Sequence, residues 1–237
     1  MTDASLYKII EEALPIKIGH PQAGPAWNVS DWLTGNADAD IKSIQSVQNA
    51  SKMMTAGSLA IKRTAHTVIA ALLAYYKEGV QWDLSESNVI IAHEKEAPLC
   101  LRVYLNHTVS YAERMDQSAF MRRLYFDWCK PLILSVSAVS NVNKLVLWEN
   151  IYIYIRSFYL KTAPQLEGLV QLDWQKELDE LTHEDFFGID EPNPFHHLHH
   201  FKAKRVMEDG SRVRSTCCYK VQLPGGKNCK TCCQLKA

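Results

Sequence analysis

The sequence has no net charge: Lys and Arg together number 26, as do Asp and Glu. A protein that grips nucleic acid by neutralising phosphates carries a basic excess, so the balance counts against nucleic acid as a partner. Long apolar runs are missing too. The longest, such as Thr67 to Tyr76, fall well short of the ~18 residues needed to cross a bilayer, so a membrane-spanning protein is not expected. Met1 to Pro15 contains Asp3, Glu11 and Glu12 and no uninterrupted apolar core, so it does not read as a secretory signal. Gly and Pro are scarce, 10 and 9 of 237 residues, and no internal repeat or low-complexity segment occurs, which excludes collagen-like and disordered classes. No G-x-G-x-x-G fingerprint is found, so a dinucleotide site is not expected. No Ser-His-Asp or Cys-His set has a spacing that suggests a nucleophilic triad.

What is present is a folded-protein composition, 47% apolar and 22% charged. Residues 3 to 14 read as a short amphipathic helix stopped by Pro15, and His20 to Asp40 as mostly loop, with Trp27 and Trp32 folded back onto a core. Ile61, Ala65, Val68, Ile69, Leu72, Leu73 and Tyr76 recur at helical spacing, and Gly79 suits the position just past a helix end. Asn88 to Ala92 and Leu99 to Leu105 read as two strands of a hairpin joined through His93 to Pro98. Leu99, Leu101, Val103 and Leu105 share one face of the second strand, and Cys100, Arg102 and Tyr104 the other. Met115, Leu124, Tyr125, Trp128 and Leu132 mark a further helix that Pro131 ends or kinks. Trp148, Ile151, Tyr152, Ile155 and Tyr159 mark another over about residues 143 to 160. Residues 165 to 185 are acidic and partly helical. The expected fold class is α+β: a helix-rich body with a small antiparallel sheet, over residues 1 to 190, and a short C-terminal segment, 191 to 237.

That division rests on an asymmetry hidden in the zero. Residues 196 to 237 hold nine basic groups against two acidic ones, a net +7, which leaves −7 for the rest. Five of the seven cysteines (Cys217, Cys218, Cys229, Cys232, Cys233) fall in the last 21 residues. Two prolines in the run Gly188 to Pro194 disfavour helix and suggest a stiff, extended connector. The roughly 40 residues beyond it have too few large apolar groups to hold a core, so they need a metal staple or docking onto the body.

With no export signal, the chain is expected in the cytoplasm, where thiols are kept reduced; a cysteine cluster there reads as a metal or redox site rather than a disulfide framework. Adjacent Cys217 and Cys218, then ten residues, then Cys229, two residues and Cys232 can converge on one soft metal centre. Pro224, Gly225 and Gly226 let the chain double back between the pairs. The adjacent first pair differs from structural zinc sites, whose paired ligands are two to four residues apart, and from plant-type ferredoxin spacing.

The run from Arg214 to Cys232, RSTCCYKVQLPGGKNCKTC, resembles the C-terminal signature of the FhuF-like ferric-siderophore reductases. Trp148, Glu149 and Asn150 are similar to the Trp-x-Asn region of that family. The strong likeness covers residues 192 to 232; the body is similar in length and order, and the family's body is itself similar to the C-terminal part of siderophore synthetases. The resemblance implies a 2Fe-2S cluster held by Cys217, Cys218, Cys229 and Cys232. Cys233 departs from the pattern, since relatives often have proline there; spacing favours Cys232 as the ligand.

The implied activity is one-electron reduction of a ferric siderophore, releasing Fe(II), with electrons from a separate electron-donor protein. Arg212, Arg214 and Lys220 would raise the cluster potential by stabilising its more negative state, or would be solvated surface or a docking site for an acidic donor. The acidic body favours neutral or cationic hydroxamate chelates. Two other classes stay open: an iron or redox sensor without turnover, and a zinc-stapled interaction module. His196, His197, His199 and His200 read as surface histidines rather than ligands. Cys100 and Cys129 read as buried inert thiols, Trp148 and Tyr152 as core, and Lys144, Arg122 and Arg123 as solvated.

Overall fold

Pro15 stops the first helix, α1 (Asp3–Ala13), and the chain turns into a short strand, β1 (Ile16–Ile18). The structure, a computed structural model, describes residues 3–79, 84, 88–106, 116–166, 172–202, 206–207 and 211–235. Met115 of the expected third helix lies outside them, as do Lys204, Arg205 and Lys236 of the basic tail. Next come β2 (Ala26–Asn28), α2 (Val29–Leu33), α3 (Asp38–Val47) and α4 (Met53–Glu78). The region expected to be loop therefore carries a strand and a helix. Its punctuators act as caps: the Asn28 side chain accepts from the Ser30 N–H at 3.2 Å. Trp27 and Trp32 are buried, as their size suggests.

The sheet is small and mixed, in the order β1-β4-β3-β2, where β3 is Val89–His93 and β4 Leu101–Leu105. The expected hairpin is present, with Ile91 opposite Val103. The expected all-antiparallel sheet is not. β1 joins β4 in parallel, Ile16 beside Val103, because three residues suffice to satisfy an edge yet carry no readable alternation. Leu99 and Cys100 are not in the strand: both have positive φ in a tight turn (Pro98–Cys100), and Cys100 is half-buried.

α4 is the hub. It packs against α1, α3, β3 and β4, and against three later helices. Every side chain from Thr55 to Tyr75 is buried, so the helix is enclosed on all faces rather than amphipathic. Gly79, at φ 66°, closes it in the left-handed conformation expected of that residue. The helix also begins two turns before the apolar periodicity does. That stretch contains Thr55, Gly57 and Ser58, small residues that let other segments approach closely.

α5 (Gln117–Arg123) runs into a π-helical turn (Leu124–Cys129) and on into α6 (Lys130–Ser140). Pro131 neither ends nor breaks the run. It stands at the start of α6, directly after the wider π turn, which accommodates a residue that cannot donate. α7 (Lys144–Ser157) is capped by Asn143 and continues as a second π turn to Thr162; α8 is Trp174–Leu181. The run near the prolines bends rather than extends. Glu191 accepts from Tyr125 and Lys130 of the body, Asn193 caps α9 (Pro194–His200), and Pro194 opens that helix. Phe195 and Leu198 join the core beside Trp148 and Tyr152 of α7, while Lys144, Arg122 and Arg123 are exposed and Cys129 is buried. Among the described residues, no helix is long and apolar enough to cross a membrane.

At Gly57, α4 packs tightly against α6. A Cβ on Gly57 would lie 2.6 Å from Ser140 Oγ and 2.7 Å from its Cβ. Gly57→Ala should therefore lower stability by about 1–3 kcal/mol through overpacking, measured by urea denaturation. Adding Ser140→Gly should restore most of the loss.

Candidate metal centre

Beyond α9, the described residues of the terminal segment form one short 3₁₀ turn (Lys220–Gln222) and an isolated bridge between Val206 and Arg212, so side chains of the body must hold it in place. Arg214 is the anchor. It is 4% exposed, its Nε is 3.3 Å from Glu149 Oε2, and its Nη2 donates to Asn150 Oδ1 at 2.8 Å. The Glu149 carboxylate also accepts from the backbone N–H and hydroxyl of both Ser215 and Thr216. Asn150 donates onward to the Ser58 carbonyl of α4 at 2.8 Å. The two parts of the sequence that carry the family likeness, Trp148 to Asn150 and Arg214 onward, are thus in direct contact.

Burial alone would push Glu149 up. The Arg214 charge and the donors from Thr216 and Ser215 outweigh it and hold the carboxyl below its ordinary range.

α4 receives the first cysteine pair. Ser58 Oγ donates to the Cys218 carbonyl at 3.1 Å, Thr55 donates to Gln222 Oε1 at 2.8 Å, and Lys62 Nζ lies 3.6 Å from Cys218 Sγ. Cys218 is 2% exposed. The Pro-Gly-Gly run does what its chemistry suggests. Gly226 N–H donates to the Leu223 carbonyl at 2.8 Å, with Pro224 and Gly225 at the turn's centre and Gly225 at φ 66°. A side chain on Gly226 would collide with the Lys220 and Leu223 carbonyls, so that position too requires glycine.

The turn returns the chain so that Cys229 Sγ stands 3.8 Å from Cys218 Sγ. Two thiolates on one tetrahedral ion with bonds of about 2.3 Å stand about 3.8 Å apart. Their contact, with the Lys62 and Arg214 charges, draws Cys218 down from the ordinary thiol range; the same contact, burial and the Cys218 charge push Cys229 up against the pull of those two cations. The outer thiols are held by backbone donors. Tyr219 N–H donates to Cys217 Sγ at 3.3 Å and Gln234 N–H to Cys232 Sγ at 3.4 Å; bonds of this kind to sulfur tune cluster potentials. Cys232 is 4% exposed, whereas Cys233 is exposed. Burial, then the charges of Cys217 and Cys232, raise the Cys233 thiol, so these three share one electrostatic neighbourhood.

The structure brings Cys218 and Cys229 into contact. Among the described residues, no three Cys, His, Asp or Glu side chains converge on a point that a metal ion would occupy. The donor set fits a thiolate-bound group in kind and is not gathered into one site.

The other candidates separate. Arg214 is buried and cannot serve a docking surface. Arg212 is half-buried and donates to the His199 carbonyl at 2.5 Å, and Lys220 is half-buried in the 3₁₀ turn. His199 Nδ1 is 2.8 Å from the Tyr152 hydroxyl, and His196 Nδ1 is 3.0 Å from the Thr182 carbonyl. Sequence reasoning missed Ser58, Lys62 and Thr55. The available signal was Lys62 and Arg63 within an otherwise apolar helix, where a charge facing inward needs a partner. Comparison of the chain with protein-family models and with curated proteins finds no match.

Removing one partner of a buried pair costs about 3–5 kcal/mol because the other charge is left uncompensated. Glu149→Gln should therefore release the terminal segment, seen as rapid proteolytic clipping after residue 201 while the core stays resistant. The pH response follows from the depressed carboxyl. The folded value lies below the unfolded one, so the anchor's contribution is complete above about pH 4.3 and is lost as pH falls through the folded value. Clipping should therefore be flat through neutral pH and rise only in acid.

Proposed function

We propose that Cys217, Cys218, Cys229 and Cys232 hold a 2Fe-2S cluster, and that the chain passes one electron to a ferric siderophore. The supporting observation is the Cys218–Cys229 pair, 3.8 Å apart beside Lys62 and backed by the buried Arg214–Glu149–Asn150 anchor. The family likeness of the terminal motif adds the cluster type.

The bound cluster supplies a one-electron couple. The chain's own residues do the rest. Lys62 and Arg214 bring two positive charges to the inner thiol pair, and burying thiolates in a low-dielectric site favours a counter-charge nearby. Both charges favour the more negative state and raise the potential. Ser58, Asn150 and Glu149 fix the segment on rigid helices, which keeps the thiols in place as charge changes. In the reaction Fe(III), held by hard oxygen donors, gains one electron and becomes Fe(II), which those donors hold weakly; an electron-donor protein supplies that electron. No side chain needs to donate or accept a proton, which agrees with the missing triad. A cytoplasmic site of action belongs to this reading.

Anaerobically purified protein should be red-brown, with two irons and two acid-labile sulfides per chain. After dithionite reduction, stopped-flow mixing with a ferric chelate should restore the visible absorbance of the oxidised centre and form Fe(II) in equal amount. Cys229→Ser should lose the cluster or its activity. Colourless protein with one zinc would overturn the reading in favour of a zinc-stapled module. A cluster that ferric chelates do not oxidise would overturn it in favour of a sensor.

A further inference from the structure

A cavity of about 320 Å³ opens between α7, α9 and the terminal segment, and Cys229, Lys230 and Thr231 form part of its wall. Its charge is one-sided. Lys62, Arg156 and Lys161 line it from the body, and Arg212, Arg214 and Lys230 from the tail. Among the described residues, the one carboxylate on the wall is Glu149, already committed to Arg214, Ser215 and Thr216. The net −7 of residues 1 to 195 therefore does not describe this surface, because α4 and α7 turn cations toward it.

Two guanidinium groups leave donors unused. Arg214 Nη1 and Arg156 Nε are buried with no hydrogen-bond partner among the described residues, and Arg214 itself is 4% exposed. Those two atoms are closed off from solvent, so the guanidinium groups that can meet a ligand are those lining the cavity, Arg156 from α7 and Arg212 from the tail. Planar guanidinium groups match carboxylates in particular. Tyr152, Ile153, Leu160, Leu198, Phe201 and Val213 are on the apolar part of the wall, which is the larger part.

We propose that this cavity receives an anionic ferric chelate of the polycarboxylate class, its carboxylates on Arg156 and Arg212 and its iron side toward Cys229. The assignment rests on the redox reading above and names the substrate class. It reverses the hydroxamate preference drawn from net charge. The electron step is unchanged: Fe(III) gains one electron from the reduced centre, and no covalent bond of the protein forms or breaks. The cavity is small, which suits a citrate-sized ligand.

The test uses gallium(III), which matches Fe(III) in charge and is not reduced. Isothermal titration of the full, anaerobically purified chain with gallium citrate should show binding about tenfold or more tighter than a cationic gallium trihydroxamate. Arg156→Gln and Arg212→Gln should each weaken gallium citrate about tenfold and leave the trihydroxamate unchanged. In the wild-type chain, raising the salt should weaken citrate binding and not trihydroxamate binding, a readout that needs no variant to fold. Equal or tighter trihydroxamate binding would overturn the proposal. So would equal affinity for metal-free citrate, which would make the cavity a plain carboxylate site. Gallium binding does not need the cluster, so a chain without iron and sulfide that still binds gallium citrate would sink the redox reading and leave the cavity's specificity standing.

Discussion

The buried pair between Arg214 and Glu149 is the constraint on which the rest depends. Burying two ions costs several kcal/mol each, and their mutual attraction alone does not reliably offset that. Glu149 accepts five bonds, from Arg214 Nε and from the N–H and hydroxyl of Ser215 and Thr216. Charge-assisted bonds contribute about 1.5–3 kcal/mol each, enough in sum to outweigh the desolvation. The three residues immediately before Cys217 are thereby fixed on α7. A segment with few large apolar groups gains a defined position without a core of its own.

α4 provides the second surface. A helix enclosed on every face cannot use its side chains for packing alone where another segment's polar backbone lies against it. Ser58 satisfies that backbone at the Cys218 carbonyl, Thr55 holds the Gln222 side chain, and Lys62 meets the Cys218 thiol. The same small residues that blur the start of the helix in the sequence allow α6 and the tail to approach. Local propensity is traded there for contact, and the helix persists because its remaining length is well packed. The tail and the body also share the wall of the basic cavity. Docking the tail thus builds two things together: the thiol pair and the cationic surface next to it.

Much of this was legible in the sequence. The apolar period from Ile61 to Tyr76, the Gly79 stop and the helix over Trp148 to Tyr159 follow from single-face or core patterns and match the structure. The Pro-Gly-Gly turn was legible too, because rare residues at short range carry their geometry locally; of the cysteine set that the spacing suggested, the structure shows the Cys218–Cys229 contact. The three-residue strands β1 and β2 were not legible, being too short for any alternation to register. The π turn before Pro131 was also hidden, since it looks like ordinary helix residue by residue. The Arg214–Glu149 pair joins positions 65 apart, and nothing local marks one as the other's partner. Charge arithmetic by segment misled as well: averaged over the body it is acidic, while the residues that reach the cavity are basic.

The central claim is that the four thiols hold one 2Fe-2S centre, which docking on α4 and α7 makes electronically distinct. Low-temperature EPR of the dithionite-reduced, full-length protein tests it most directly. The account predicts a spin-one-half signal integrating to one spin per chain, whose g values shift when Lys62 is replaced by Met. An EPR-silent reduced protein containing stoichiometric zinc would contradict it.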